Sequence, residues 1–205
     1  AAGGLGVRFW FRSNGLGRTH YARDQDGGFA QYLLSHRALG TAGSLSIFLV
    51  PPSSTKAAKT AASESGAPGS LQTVICPSLS SLPCTVWEVK GLDASGFGDD
   101  SWHQYALSVS DDGDAALFVD GKLRHECNGC LASISMDMDD EAILPPAAAI
   151  LGGRYDTHPL HFFGGLISKN EFITNGSTSA DTIADEWQTF WSSPGCHKPN
   201  QPTTN

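Results

Sequence analysis

Apolar and polar residues alternate along several short segments of the chain, most clearly at residues 5–12. One face of this segment carries Val7, Phe9 and Phe11, and the other carries Arg8, Trp10 and Arg12. A period of two residues predicts a β-strand with one face toward a core. Comparable short segments predict further strands at residues 29–35, 44–50, 71–76, 85–89, 102–110, 115–119, 122–126, 147–152 and 162–173.

Turn-forming residues separate these segments. Residues 40–43 divide two of the strands, and Pro51-Pro52 ends the second of them. Asp111-Asp112-Gly113 and Asp120-Gly121 divide residues 102–126 into three strands. Because glycine tolerates the positive φ of tight turns, this stretch predicts an antiparallel meander.

A different period appears near the end of the chain. Residues 178–181, Thr-Ser-Ala-Asp, resemble a capping box and predict the start of a helix. Helical spacing then places four large apolar residues on one face, and Pro194-Gly195 ends the helix. This stripe consists of Ile183, Trp187, Phe190 and Trp191. We interpret it as a core-facing stripe rather than as a sugar-stacking platform.

The pattern as a whole predicts an all-β domain with a short C-terminal helix. We expect residues 1–195 to form a single domain, since all-β sandwiches of this length commonly do. Residues 53–70 are rich in Ala, Ser and Gly without a periodic apolar face, which predicts an exposed loop. Residues 196–205 are rich in Pro, Thr and Asn, which predicts a linker-like tail.

Charge and hydropathy restrict the partners. The chain of 205 residues has a formal net charge of −8, and an acidic chain repels phosphate backbones, so we expect no nucleic-acid partner. No apolar run reaches the ~20 residues that cross a bilayer, so no membrane span is expected. No signal peptide is visible at the first residue, and we expect a mature product or an excised piece of a longer chain.

The five cysteines indicate an oxidising compartment. Cys76 and Cys84 are close in sequence, and Cys127 and Cys130 form a C-x-x-C sequence. We expect two local disulfides, Cys76–Cys84 and Cys127–Cys130. This pairing leaves Cys196 over, with its partner outside this sequence. The alternative is that Cys196 pairs with one of the C-x-x-C cysteines.

A zinc site is the alternative use of these cysteines, with His125 as a further ligand. Pro77 and Pro83 flank the first pair, and no helical redox context surrounds the second, so disulfides are favoured. Asn175-Gly176-Ser177 is an N-glycosylation sequon, which adds to the prediction of an extracellular protein with Asn175 glycosylated.

Residues 102–107, Trp-His-Gln-Tyr-Ala-Leu, and residues 117–122, Leu-Phe-Val-Asp-Gly-Lys, resemble the laminin-G-like superfamily. There a W-H-x-x-A strand is followed by a hairpin and an L-x-V-D-G strand. The resemblance implies a structural role for His103, and alternation directs Leu117 and Val119 toward the core.

A second part of the resemblance lies downstream. Residues 150–153, Ile-Leu-Gly-Gly, and residues 163–167, Phe-Gly-Gly-Leu-Ile, resemble two later strands of the superfamily, although Ser168 and Lys169 replace the acidic and aliphatic residues that follow there. The resemblance covers most of residues 5–191. It implies a concanavalin A-like antiparallel jelly-roll β-sandwich of two curved sheets.

Two shorter stretches, residues 21–26 and 151–156, are similar to pentraxin stretches that each end in a calcium-binding Asp. This implies Asp26 and Asp156 as calcium ligands, because calcium prefers hard oxygen ligands. The sequence departs from the pentraxin pattern at Gly27, Arg154 and Tyr155, where pentraxins have ligand residues. The resemblance therefore implies at most one weaker calcium site.

The fold resemblance implies a binding module rather than an enzyme. We expect an extracellular or cell-surface recognition or adhesion module that binds a glycan or a protein ligand, assisted by calcium. Tyr155 and His158 are the candidate ligand-binding residues, beside Asp26 and Asp156. The alternative is a structural module of a larger cell-surface or matrix assembly, favoured by the tail and the unpaired cysteine.

A polysaccharide hydrolase or lyase is the third hypothesis. Asp137 and Asp139 would share one face of a strand, as the acid and nucleophile of retaining hydrolases do. Asp140 breaks the alternation, so a solvated or cation-binding loop is the preferred interpretation of residues 136–141. No G-x-S-x-G, phosphate-loop or H-E-x-x-H motif is present.

Overall fold

The computed structural model describes residues 5–13, 30–37, 39–41, 43–50, 70–76, 83–90, 97, 100–131, 149–153, 163–173 and 178–192. The strands are β1 (Leu5–Ser13), β2 (Gln31–His36), β3 (Leu45–Val50), β4 (Ser70–Ile75), β5 (Thr85–Lys90), β6 (Trp102–Val109), β7 (Ala115–Val119), β8 (Lys122–Cys127), β9 (Ala149–Leu151) and β10 (Gly165–Ile173). One helix, α1 (Ala180–Ser192), follows them.

The strands form two antiparallel sheets of five strands each. The helix-bearing sheet has the order β10-β1-β6-β7-β8, and the opposite sheet has the order β5-β4-β3-β2-β9. The prediction of an all-β antiparallel sandwich with a C-terminal helix is confirmed. Its strands are those that the apolar pattern predicts, with ends that differ by no more than three residues.

The core lies between the inner faces of the two sheets. Val7, Phe9 and Phe11 of β1 are buried in it, as the alternation predicts. Leu117 and Val119 are likewise fully buried, which confirms their predicted orientation. The opposite sheet contributes residues of the same kind, including Leu45, Ile47, Leu49, Leu71 and Ile75. Burying each such side chain stabilises the fold by about 1.5–3 kcal/mol.

The meander from β6 to β8 depends on the predicted turn at Asp120-Gly121. Both residues have positive φ, 56° and 68°, which matches the tight hairpin turn whose twist suits the flanking strands. The carboxylate of Asp120 accepts a hydrogen bond from the backbone N–H of Gln104 at 3.0 Å and another from Nδ1 of His103 at 3.0 Å. The predicted structural role of His103 is confirmed.

Both predicted local disulfides are present. Cys76–Cys84 joins the end of β4 to the start of β5, and Cys127–Cys130 follows the end of β8. The zinc alternative is therefore wrong, because these four sulfur atoms are bonded in pairs. His125 is occupied elsewhere, since its Nε2 lies 2.8 Å from the carbonyl oxygen of Glu88.

Several predictions fall on residues that the structure does not describe. They include most of the loop at residues 53–70, whose last residue, Ser70, is the first residue of β4 instead. The tail at residues 196–205, including Cys196, also lies outside the described residues. Within the described part of the chain, no helix has the length and apolar character needed to span a membrane.

Candidate functional site

Helix α1 packs on the outer face of the helix-bearing sheet. Its N-cap is Ser179, whose hydroxyl oxygen accepts a hydrogen bond from the backbone N–H of Thr182 at 3.2 Å. The predicted capping box starting at Thr178 is therefore off by one residue. The N–H of Thr178 instead donates to Oγ of Ser108 at 2.9 Å, which ties the helix start to β6.

The apolar stripe of α1 is largely buried, as predicted. Ile183 is fully buried against Ala106 and Phe118, and Trp191 is also buried. Trp187 and Phe190 are partly exposed and stack on Trp10, with ring centroids at 5.3 Å and 3.8 Å. The main function of the stripe is thus to attach the helix to the sheet.

The burial of Trp10 is not evident from the sequence. Alternation assigns it to the outer face of β1, yet only 4% of its surface is exposed because α1 covers it. Arg8, on the same face, forms an ion pair with Glu186 of the helix. On β1 the helix thus covers the outer face at Trp10, whereas the side chain of Arg12, near the C-terminal end of the helix, stays 39% exposed.

At that end, three strands place side chains in one row. Leu166 of β10, Arg12 of β1 and Trp102 of β6 are successive Cα partners, and opposed residues of antiparallel strands point to the same side. Leu166 is 56% exposed, and Trp102 is partly exposed with Phe190 packed edge-on against it. The row presents an aliphatic, a cationic and an aromatic group to solvent.

Arg12 forms a bidentate ion pair with Asp100. Its Nε and Nη2 donate to the two carboxylate oxygens, each at 2.9 Å. The side chains remain 39% and 59% exposed, respectively. The hydrogen bond and charge of Asp100 raise the pKa of Arg12, so this cation is permanent. Asp100 has a φ of 61°, so its backbone adopts a conformation uncommon for an L-residue.

We call this set the Arg12–Trp102 surface; it consists of Leu166, Arg12, Asp100, Trp102 and Phe190. Nε and Nη2 of the guanidinium donate to Asp100. A fixed guanidinium–carboxylate pair beside an aromatic ring can hydrogen-bond polar groups of a ligand while the ring contacts its apolar side.

Sequence reasoning did not find this surface. Alternation places Arg12 on an outer face, but Asp100 is 88 residues away along the chain and lies in none of the predicted strands. The pairing depends on the register of β1 with β6, in which Arg12 is the partner of Trp102. No local pattern in the sequence reports that register.

The residues that the sequence singled out for metal binding, ligand binding, glycosylation and catalysis lie outside the described part of the chain. They are Asp26, Asp156, Tyr155, His158, Asn175, Asp137 and Asp139. Within the described part, no group of three or more His, Cys, Asp or Glu side chains is arranged to hold a metal ion. The predictions of a calcium site, a ligand-binding rim and a glycosylation site are therefore untested.

No protein-family model matches the chain, and no curated protein matches it in sequence. Similar solved structures include the receptor binding domain of a botulinum neurotoxin C/D mosaic serotype (TM-score 0.53, 11% identity, 92% of this chain and 36% of that chain). The ligand binding domain of botulinum neurotoxin serotype D in complex with N-acetylneuraminic acid is similar (0.54, 11%, 92% and 37%). So is the binding domain of Paraclostridial Mosquitocidal Protein 1 (0.55, 11%, 93% and 38%).

At these identities the likeness concerns the fold alone. The chain spans a little over a third of the length of those chains, between 36% and 38% in the three named. Each of the three is named as a binding domain, and none is named as a catalytic one.

Proposed function

We propose that this chain is an extracellular recognition module that binds a glycan or a protein ligand and catalyses no reaction. The Arg12–Trp102 surface is the observation that carries the proposal. It combines a partly exposed aromatic ring with a charged hydrogen-bonding pair, which is the combination enriched at binding hot spots. The fold is also that of domains whose names describe receptor and ligand binding.

The residues beneath this surface are suited to holding it rigid. Phe190 is held by stacking on Trp10, and Trp102 is held by Phe190 and by its place at the start of β6. A ligand would therefore find the ring and the ion pair already in place. Preorganised groups lose little conformational entropy on binding, so each contact contributes more to affinity.

Binding by the whole chain to a glycan array and to a panel of extracellular proteins tests the proposal. For any ligand found, Arg12→Ala and Trp102→Ala should each weaken binding by about tenfold or more, the loss typical of a hot-spot contact. Lys90→Ala and Val86→Ala are matched controls, because both residues are exposed on the opposite sheet. Equal losses in all four variants, or none, would remove the Arg12–Trp102 surface from the proposal.

Arg12→Lys separates charge from geometry. Lysine keeps the positive charge but cannot form the bidentate pair with Asp100. If the fixed pair is what binds, Arg12→Lys should weaken binding almost as much as Arg12→Ala. Thermal melting should be nearly unchanged in both, because exposed ion pairs contribute only about 0–1 kcal/mol.

A calcium-assisted rim with Asp26, Asp156, Tyr155 and His158 remains part of the proposal, as do membership of the laminin-G-like superfamily and glycosylation at Asn175. Melting in millimolar calcium and in chelator tests the metal, since a ligand that binds only the folded state raises its stability. Asp26→Asn and Asp156→Asn should abolish any calcium-dependent shift. A melting temperature that calcium leaves unchanged would exclude the site.

A structural role in a larger assembly is the second candidate function. In the three similar structures named above, the part that matches this chain makes up only 36–38% of a longer chain, which favours this function. In this case the Arg12–Trp102 surface would contact another domain of the same assembly. Binding to no glycan, together with capture of an adjoining domain that Trp102→Ala abolishes, would favour this function.

A further inference from the structure

The second disulfide lies at the surface. Cys130, Asn128 and Gly129 are exposed, while Cys127 is partly buried against the core. The first disulfide differs, because Cys76 is only 2% exposed. It packs among apolar residues, namely Tyr32, Phe48 and Val74. An external thiol can therefore reach the sulfur of Cys130 more readily than that of Cys76.

Hydrogen bonds hold the loop at residues 127–130 in addition to its disulfide. The backbone N–H of Gly129 donates to Oδ1 of Asp114 at 2.7 Å. The N–H of Leu131 donates to the carbonyl oxygen of Gly113 at 3.0 Å, and Leu131 is buried. The disulfide closes a ring with a sequence separation of only three residues, so opening it frees little chain entropy.

The charges around this disulfide are mainly negative. Asp111, Asp112 and Asp114 form the exposed turn that the loop is bonded to, and exposed Glu126 directly precedes Cys127. The nearest Lys or Arg along β8 is Arg124, whose Nε and Nη2 are buried. An approaching anionic thiol would be repelled here, and a cationic one attracted.

We propose that Cys127–Cys130 is a thiol-exchange site, at which a thiol within a basic segment of a partner forms a mixed disulfide with Cys130. The partner's thiolate attacks Sγ of Cys130, and the Cys127–Cys130 bond breaks. The sulfur of Cys127 leaves as a thiolate and takes a proton from water. One disulfide is consumed and one is formed, so no other oxidant or reductant is needed. The proposal goes beyond ligand recognition and does not depend on it.

Two small thiols of opposite charge test it. The whole chain is first treated with iodoacetamide, which blocks any free cysteine. It is then incubated at low ionic strength with cysteamine or with 3-mercaptopropionate, quenched with acid, and mapped by peptide mass spectrometry. We expect the first adduct on Cys130, with Cys76–Cys84 intact. Corrected for thiolate fraction, cysteamine should react at least about threefold faster, and 0.5 M salt should remove the difference.

Variants separate the contribution of charge from that of exposure. Asp111→Asn combined with Asp112→Asn should lower the cysteamine preference without preventing the reaction. Cys127→Ser combined with Cys130→Ser should give no adduct under the same conditions. A first adduct on Cys76 or Cys84, equal rates for the two thiols, or a native linkage from either cysteine of the loop to Cys196 would each overturn the proposal.

Discussion

Single side chains connect distant parts of this sandwich. Tyr105 of β6 and Thr73 of β4 lie on different sheets, and their hydroxyl oxygens are 3.0 Å apart in the core. Tyr105 is fully buried, and its ring stacks on Phe9 at 4.9 Å. Burial raises the pKa of Tyr105 far above its ordinary value, and the hydrogen bond to Thr73 offsets this only in part. The phenol therefore stays neutral while the protein is folded.

Tyr105→Phe should change how stability depends on alkaline pH. Below about pH 10 the phenol is neutral in both states, so the variant loses only the hydrogen bond, about 0.5–1.5 kcal/mol. Above that pH the unfolded state ionises at Tyr105 and the folded state does not, so the wild type loses stability that the variant keeps. By pH 11 the difference should shrink by about 1.4 kcal/mol.

Urea unfolding at pH 8 and pH 11 measures this difference. Tyr32→Phe is the control, because Tyr32 is also buried but packs with Phe48 and Val74, away from the hydrogen bond that joins the sheets. A stability difference between wild type and Tyr105→Phe that is the same at both pH values would contradict the prediction.

At the scale of elements, the most important contact is the packing of α1 against the helix-bearing sheet. The turn between β7 and β8 allows it, because Gly121 lies directly beneath Trp187. A Cβ atom at Gly121 would be 2.9 Å from Cβ of Trp187, closer than side chains normally approach. Two features therefore require glycine at position 121, the φ of 68° and the close approach of the helix.

Gly121→Ala should therefore destabilise the protein more than the same change at Gly40. Both positions have positive φ, 68° and 81°, so alanine costs about 1–2 kcal/mol of backbone strain at each. Only Gly121 also has a close neighbour, since a Cβ at Gly40 meets nothing within 4 Å. We expect Gly121→Ala to lose at least about 1 kcal/mol more, by analogy with the cost of overpacking.

Near-ultraviolet circular dichroism complements unfolding in this comparison. The stacked Trp10 and Trp187 rings should change their signal in Gly121→Ala and not in Gly40→Ala. Equal destabilisation with unchanged aromatic signals in both would mean that the helix adjusts without cost.

The molecule as a whole is organised around one core. Residues of both sheets belong to a single buried cluster, from Val7 on β1 to Val89 on β5. The Cys76–Cys84 disulfide and the bond from His125 to Glu88 lie at the edges of this arrangement. A shared core predicts that the sheets cannot unfold separately, and the prediction of one domain over residues 1–195 requires the same behaviour.

Unfolding followed by two probes tests that expectation. Tryptophan fluorescence reports mainly on the helix-bearing sheet and its helix, because Trp10 and Trp102 lie in the sheet and Trp187 and Trp191 in α1. Far-ultraviolet circular dichroism reports on both sheets. The two curves should coincide within error in urea, with disulfides intact, as in two-state unfolding. Two separated transitions would show independent folding units.

Much of the fold could be predicted from local pattern. Alternation at β1, the Asp120-Gly121 turn and the spacing of Ile183 and Trp191 each depend on residues close in sequence. The Arg12–Trp102 surface could not, because it depends on strand register. A shift by one residue would move Arg12 to the other face of the sheet.

Secondary structure, the two local disulfides and the all-β class follow from the order of residues alone, because each depends on neighbours within a few positions. Long-range packing determines the rest. It buries Trp10 beneath α1, brings Asp100 to Arg12 across 88 residues, and leaves Cys130 exposed while Cys76 is buried. These contacts arise only when two sheets and a helix meet, since the sequence records which side of a strand a residue occupies and not what covers it.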